Sequence, residues 1–255
     1  HTRYKLVTGV QTCALPDLAL PCVMGVAHAE SAPEKGILSF KYLNYKERQQ
    51  ITADASIGYP TTYSNSGASA YDDRIRVTAT ASSVMLPLNS EWSMTATLIT
   101  DSISGASPAY HTEALTGMKD FRRAVDTSLT HYLPNGTITL GVNHSAENDY
   151  VSRGVSLVAT QANESKNTTW TAGIGMNRDE INPSNLIVAN ERKRGLDLIV
   201  GVTQVLTMND IVQFNLGLYN GRGYFSDPYK IYDERPRDRS HQTFQTRWNH
   251  HFTEL

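Results

Sequence analysis

Residues 211–219 read IVQFNLGLY, and this stretch decides the fold. Apolar and polar side chains alternate along it: Val212, Phe214, Leu216 and Leu218 against Gln213, Asn215 and Gly217. Successive side chains of a β-strand point to opposite faces, so the stretch predicts a strand with one apolar and one polar face. The preceding segment 195–204, GLDLIVGVTQ, repeats the alternation. The sequence therefore predicts two neighbouring strands that share these faces.

The same alternation recurs throughout the chain with little competing helical periodicity, which predicts an all-β protein of about ten strands. Three further segments show it clearly: 91–100, 137–144 and 168–177. Five show it more weakly: 37–45, 73–85, 122–132, 151–161 and 242–252.

The connections between these segments alternate in length. Four are short turns: 87–90, 134–136, 163–167 and 207–210. The intervening ones are mostly long and polar, near 46–71, 102–121, 178–192 and 220–241, with 145–150 the shortest of them. Short turns at one end and long loops at the other are typical of outer-membrane barrels. We therefore expect an antiparallel up-and-down barrel, truncated at the C-terminus after about ten strands because no aromatic-ended closing strand follows.

Composition excludes two other classes of protein. The net charge is −2 and the pI is about 6.5, so no positive field gathers nucleic acid. Mean hydropathy is −0.38, and no run approaches the roughly 18 apolar residues that a membrane-spanning helix needs. A helical membrane protein is thereby excluded, whereas a barrel is not.

The N-terminal segments are expected to lie outside the folded domain. Residues 1–16 resemble translated sequencing adapter of the kind found at the edges of metagenomic reads. Residues 17–29 form an apolar run that ends in Ala-His-Ala and resemble the remnant of a secretory signal peptide. Both cysteines, Cys13 and Cys22, fall in these segments, so disulfides and thiolate metal sites are not expected. Residues 30–255 are then a partial barrel domain.

Aromatic and charged residues fall where a barrel would use them. The predicted strand ends carry aromatic rings suited to the membrane boundary: Trp92, Tyr132 and Trp170 at the short turns, and Tyr45, Phe121, Tyr150 and Tyr219 at the long loops. The predicted polar face carries scattered charges that suit a hydrated interior: Lys41, Arg76, Asp126, Asp197 and Arg247. A soluble β-sandwich could also show both features.

Six stretches carry a family resemblance. They are SGASPAYHTEALTGM (104–118), NDYVSRG (148–154), RDEINP (178–183), GVTQVLT (201–207), GRGYFSDPYK (221–230) and RWNHHF (247–252). The chain from about residue 30 to 252 resembles family number 3570 of the domains of unknown function. This resemblance implies an exported outer-membrane β-barrel, with further strands after residues 247–249. It implies no activity and no catalytic residues.

The loop from 221 to 239 is the most informative local feature because it mixes aromatic rings with charges of alternating sign. Such a loop could fold over the barrel mouth as a plug or ligand platform, or remain solvated against lipopolysaccharide. The candidate residues of this mouth loop are Tyr224, Phe225, Asp227, Tyr229, Lys230, Tyr232, Asp233, Arg235 and Arg237.

Elsewhere the chemical motifs are sparse. His111 and Glu113 are weak loop candidates for an acid–base pair, and the trio 147–149 could attract a cation. No metalloprotease, nucleophile-elbow or phosphate-loop motif occurs, so no catalytic, metal or cofactor site is predicted.

The sequence thus predicts a non-enzymatic outer-membrane barrel of a Gram-negative envelope, acting as a small-solute channel or a scaffold. Expected partners are outer-membrane lipid, lipopolysaccharide and other envelope proteins, without nucleic acid. Two alternatives stay open: an outer-membrane hydrolase with a site at the barrel rim, and a soluble periplasmic β-sandwich that binds glycans.

Overall fold

The computed structural model describes residues 31–51, 70–106, 117–229 and 233–252. These residues form ten long strands, whose bounds are β1 Ile37–Ile51, β2 Ala70–Pro87, β3 Trp92–Ala106, β4 Gly117–Leu133, β5 Gly136–Ala146, β6 Tyr150–Ala162, β7 Thr168–Ile181, β8 Glu191–Val205, β9 Asp210–Gly223 and β10 Asp238–His250. Within the described ranges, no helix is long and apolar enough to cross a membrane.

The strands form a single antiparallel sheet in which each strand pairs with its neighbours in sequence. The all-β class and the up-and-down order are therefore confirmed. In the described part of the chain β1 pairs only with β2 and β10 only with β9, so the sheet has two open edges.

All ten predicted strands are present, and so are the four short turns, but the strands run further towards the long loops. The predicted strand 168–177 continues to Ile181, and the one at 211–219 continues to Gly223. The alternation of apolar side chains ends earlier because polar residues follow, yet backbone pairing does not require apolar side chains. Gly221 and Gly223 therefore lie in β9 rather than in the loop, and Gly223 ends the strand with a φ of 136°.

The two faces of the sheet have opposite chemistry. On one face, the inner face, small and polar side chains are buried, including Ser152, Ser156 and Asn177. On the other, the outer face, large apolar side chains are exposed. Phe214 is 41% exposed and Leu216 is 44% exposed. Asn215 and Gln213 lie on the inner face, as the alternation predicts.

The structure corrects part of the aromatic prediction. Trp170 and Phe121 are exposed on the outer face, as expected of rings at a membrane boundary. Tyr150 and Tyr219 are buried on the inner face instead, and the Tyr132 hydroxyl lies 3.0 Å from the Oγ of buried Ser93. These tyrosines lie on the inner face because each is an even number of positions from the small or polar residues of its own strand, such as Thr130, Ser152 and Gly217.

One predicted inner charge is also misplaced. Arg76 lies opposite Ser104 on the outer face, because odd-numbered residues of β2 and β3 point inwards. Asp197 is buried on the inner face as predicted. The adapter prediction for residues 1–16 and the signal-peptide prediction for residues 17–29 lie outside the described residues.

Candidate functional site

The inner face carries a buried polar network at the end of the sheet where the long loops lie, called here the long-loop end. At its centre is Asp179 of β7, which is completely buried. Its carboxylate accepts hydrogen bonds from the Tyr150 hydroxyl at 2.5 Å and from Ser152 Oγ at 2.7 Å. Asn177 Nδ2 donates to the same carboxylate at 3.3 Å. A buried carboxylate requires such donors, and these three come from β6 and β7.

Lys193 of β8 supplies the positive charge that compensates Asp179. Its Nζ lies 3.4 Å from Asp179 Oδ2. The ammonium group also lies 5.5 Å from the ring centroids of Tyr150 and Phe225, within the range of cation–π attraction. The guanidinium of Arg239 lies 5.3 Å from the Phe225 ring. Two cation–π contacts therefore hold the Phe225 ring against the inner face.

Two glycines make room for an aromatic ring below this network. A Cβ at Gly195 would lie 2.7 Å from Tyr219 Cε2, and a Cβ at Gly221 would lie 2.7 Å from Tyr219 Cζ. The Tyr219 ring therefore covers the backbone of both glycines. On its other side it stacks on His241 of β10, with ring centroids 4.7 Å apart. These contacts form an aromatic patch on the inner face.

Three carboxyl groups meet at the same end of the sheet. Asp120 of β4 joins Glu147 and Asp149 of the β5–β6 connection, and their oxygen atoms lie within 4.8 Å of one another. Carboxylate oxygens are the ligand type that Ca²⁺ and Mg²⁺ take. The sequence drew attention to the trio 147–149, but the contribution of Asp120 depends on the pairing of β4 with β5.

The crowding of these carboxyl groups changes their protonation. Burial, and after it the negative charge of Asp120, raises the pKa of the Glu147 carboxyl from 4.5 to about 8. Its Oε2 atom has no hydrogen-bond partner among the described residues. Glu147 is therefore largely protonated at neutral pH, and Arg122, paired with Asp101 at 2.9 Å, is the nearby cation that opposes this effect.

The described parts of the mouth loop, residues 224–229 and 233–237, lie over this end of the inner face. The Tyr229 hydroxyl donates to Asp149 Oδ2 at 2.6 Å and accepts from the Ser184 backbone N–H at 3.0 Å. Burial and the bond to Asp149 raise the pKa of Tyr229. The loop thus contacts both the β5–β6 and the β7–β8 connections.

Internal bonds hold the shape of the mouth loop. Asp233 accepts a hydrogen bond from the Asp227 backbone N–H at 2.7 Å and pairs with Arg235 at 2.9 Å. Arg237 makes two hydrogen bonds to Glu191 at the start of β8, at 2.7 and 3.0 Å. The predicted pairing of the charges within the loop is therefore present, with one arginine also bonded to the sheet.

Of the predicted site residues, seven mouth-loop residues are placed at this end of the sheet: Tyr224, Phe225, Asp227, Tyr229, Asp233, Arg235 and Arg237. Lys230, Tyr232, His111 and Glu113 lie outside the described residues. Sequence reasoning missed Asp179 and Lys193, because a charge near a strand end is ambiguous until the register is known. In the sequence, RDEINP at 178–183 carries the family resemblance and no predicted role in a site.

Ser152 is the serine that contacts the buried carboxylate of this network. It donates directly to Asp179, and no histidine within the described ranges bonds to either residue. A serine nucleophile requires a base that is itself oriented by a third group. The described part of the site therefore offers charges, hydroxyl groups and an aromatic patch.

Comparisons with known proteins bear on identity. No curated protein matches the sequence. Among solved structures, the fold is similar to OmpTdeltaL8, a loop L8 deletion mutant of OmpT, an outer membrane protein of Vibrio cholerae. The identity is 11%, the TM-score is 0.40, and the match covers 80% of this chain and 74% of that one. The family model described as "Protein of unknown function (DUF3570)" matches residues 111–189 and 184–254. The chain belongs to this family.

Proposed function

We propose that the protein is a non-enzymatic outer-membrane β-barrel protein whose strands cross the bilayer and whose inner face lines a hydrated path for small polar solutes. The observation that carries the proposal is the distribution of side chains between the two faces, which is the reverse of that in a soluble protein. Large apolar side chains are exposed on the outer face, whereas polar groups are buried on the inner one.

The outer face has the chemistry of a lipid-facing surface. Across β5 to β9 its exposed apolar side chains form an unbroken band: Leu140, Val142, Val155, Leu157, Ile174, Met176, Leu198, Val200, Phe214, Leu216 and Leu218. Soluble monomers rarely expose apolar patches larger than a few hundred Å², and a band across five strands exceeds this. Hydrocarbon is the solvent in which such a face is stable.

The inner face leaves space along its middle. One row of paired residues across β4 to β7 consists of Ser128, Gly141, Ser156 and Gly175, so no side chain in it is larger than serine. Larger and charged groups are concentrated at the long-loop end, around Asp179. A path lined in this way would be wide in the middle and narrow beneath the mouth loop.

The alternative of a soluble glycan-binding sandwich requires a second sheet over the apolar face. The described residues form one sheet, and its apolar face is uncovered. The uncovered apolar face therefore favours an outer-membrane barrel over a soluble sandwich.

Paired substitutions in β9 test the proposal. Arginine at a lipid-facing position near the bilayer midplane costs about 2–4 kcal/mol, and far less on the interior side. We expect Phe214→Arg to reduce folding of the full chain into lipid vesicles strongly, with an effect that changes with acyl-chain length. Asn215→Arg, the matched inner-face variant, should fold normally and reduce the flux of small sugars in a vesicle-swelling assay.

Two results would contradict the proposal. If both variants responded equally to bilayer thickness, the faces would not divide lipid from interior. If the wild-type chain stayed in solution and never entered vesicles, the outer-membrane assignment itself would fail.

A further inference from the structure

Register places four arginines side by side on the outer face. Arg153 of β6 pairs with Arg178 of β7, which pairs with Arg194 of β8, which pairs with Arg222 of β9. Adjacent strands lie about 4.8 Å apart, so this arginine row extends over about 14 Å. All four side chains are exposed. Like charges directly opposite each other destabilise a sheet, so the row has an energetic cost that the fold alone does not explain.

The row is only partly neutralised by the protein itself. Arg153 pairs with Glu180 at 3.3 Å, and Arg222 pairs with Asp238 at 3.5 Å. Arg178 and Arg194, in the middle, make no hydrogen bond or ion pair with any described residue. Arg192, also exposed, lies opposite Glu180. Five guanidinium groups against two carboxylates leave a net charge of +3 at this surface.

The arginine row lies at the boundary of the apolar band. On the outer face, Arg178 is adjacent to Met176 of the same strand, and Arg194 is adjacent to Leu196 of its strand. A surface depression of about 420 Å³ extends across this boundary. Its outer-face lining is Met176, Leu196, Arg194, Asn220, Arg222 and Asp238. Cations therefore border one side of the depression, and apolar side chains border the other.

We propose that the arginine row and this depression bind the phosphorylated headgroup of lipopolysaccharide, with an acyl chain against Met176 and Leu196. The inference rests on the proposed function, because it requires the outer face to meet lipid. Guanidinium groups bind phosphate oxygens through paired, charge-assisted hydrogen bonds. The long loops of outer-membrane barrels face the exterior, which places the row in the outer leaflet, where lipopolysaccharide lies.

The test uses the full chain refolded in detergent micelles, with bis-phosphorylated lipid A as the probe. Binding is measured by native mass spectrometry, alongside the same lipid A after removal of its phosphates and alongside phosphatidylglycerol. The variant is Arg178→Gln combined with Arg194→Gln. The control is Arg123→Gln on the outer face of β4, which lies opposite Thr100 and Ala146 rather than another cation.

We expect the double variant to raise the Kd for lipid A about tenfold or more, and Arg123→Gln to leave it unchanged. Dephosphorylated lipid A and phosphatidylglycerol should bind the wild type as weakly as lipid A binds the double variant. Without lipid, the double variant should unfold at a higher temperature than the wild type, because the repulsion between the arginines is gone. If the arginine row served only to stabilise the fold, the double variant would unfold at a lower temperature than the wild type.

Unchanged lipid A binding by the double variant would overturn the inference, and so would equal binding of phosphatidylglycerol or of the dephosphorylated lipid. The charge-retaining Arg178→Lys and Arg194→Lys double variant checks folding, and should keep part of the affinity. Insertion into vesicles and sugar flux report separately on the proposed function. A protein that inserts normally but shows no preference for lipid A refutes only this inference.

Discussion

The Tyr229 hydroxyl donates a 2.6 Å hydrogen bond to Asp149 across 80 residues of sequence. The bond joins the mouth loop to the connection between β5 and β6, on the far side of β7 and β8. The same hydroxyl accepts a hydrogen bond from the Ser184 backbone N–H at 3.0 Å. One side chain therefore links three long-loop connections, and the position of the mouth loop depends on it.

Replacing Tyr229 with phenylalanine should release the mouth loop. The variant loses three hydrogen bonds, one to Asp149 and two to the backbone N–H and the Oγ of Ser184. Each is worth about 1 kcal/mol net. We expect amide exchange at Ser184 and across residues 224–229 to accelerate about tenfold. Hydrogen–deuterium exchange of the folded protein measures this. Tyr224→Phe is the control, and similar acceleration in both variants would show that the Tyr229 bonds do not hold the loop.

Stability should fall as pH rises because of Glu147. The pKa of its carboxyl is about 8 in the folded protein, above the unfolded value near 4.5. The stability that this carboxyl contributes to the folded protein is therefore complete below about pH 4.5 and is lost as the pH rises towards 8. A shift of this size would correspond to about 4–5 kcal/mol for a fully buried group, and solvent screening reduces it to about 1–2 kcal/mol.

Glu147→Gln should therefore weaken this pH dependence. The unfolding temperature in detergent, measured from pH 5 to pH 9, should fall less for the variant than for the wild type. The variant should be the more stable of the two at pH 9. Glu164→Gln in the exposed β6–β7 turn is the control. Parallel curves for wild type and Glu147→Gln would contradict the assignment.

The buried pair of Asp179 and Lys193 should behave as a coupled unit. Removing one member of a buried ion pair leaves an uncompensated charge and costs about 3–5 kcal/mol. We expect Asp179→Asn and Lys193→Met each to destabilise the protein by about this amount, and the double variant to recover part of it. Urea unfolding of the folded, lipid-bound protein measures the cycle.

The exposed pair of Glu191 and Arg237 is the comparison for that cycle. Glu191→Gln should cost less than about 1 kcal/mol, because exposed ion pairs contribute little. Additive effects of the Asp179 and Lys193 substitutions would show that the two charges do not interact.

A methyl group at Gly195 should displace the Tyr219 ring. Its Cβ would clash with Asn177 Oδ1 and lie 2.7 Å from the ring, and overpacking of this kind costs about 1–3 kcal/mol. Gly217→Ala, two strand positions below Tyr219, is the matched control because its Cβ would meet nothing closer than 3.8 Å. We expect Gly195→Ala alone to lower the unfolding temperature and to change the near-ultraviolet circular dichroism of the tyrosines. Equal effects of the two substitutions would contradict the prediction that the close contact at Gly195 causes the loss of stability.

The long-loop end was only partly predictable from sequence. The sequence leaves the loop rich in aromatic and charged residues either as a cover over the mouth or as a solvated loop. Seven of its candidate residues lie at this end of the sheet. Asp179 was not recognised, since a carboxyl near the end of an alternating segment is equally compatible with a solvated loop. Its burial follows from Tyr150, Ser152 and Lys193, which are contributed by two neighbouring strands.

The sequence by itself determined the strands, their order and the chemistry of the two faces. Period-two alternation is local, and short turns such as 134–135 leave only antiparallel pairing with the next strand. Tertiary structure alone decided the register, and with it every cross-strand neighbour. The meeting of Asp120 with Glu147, the stacking of Tyr219 on His241 and the alignment of Arg178 with Arg194 all depend on it. The physical reason is that backbone pairing extends past the apolar segments, where no side-chain pattern marks which residues stand opposite each other.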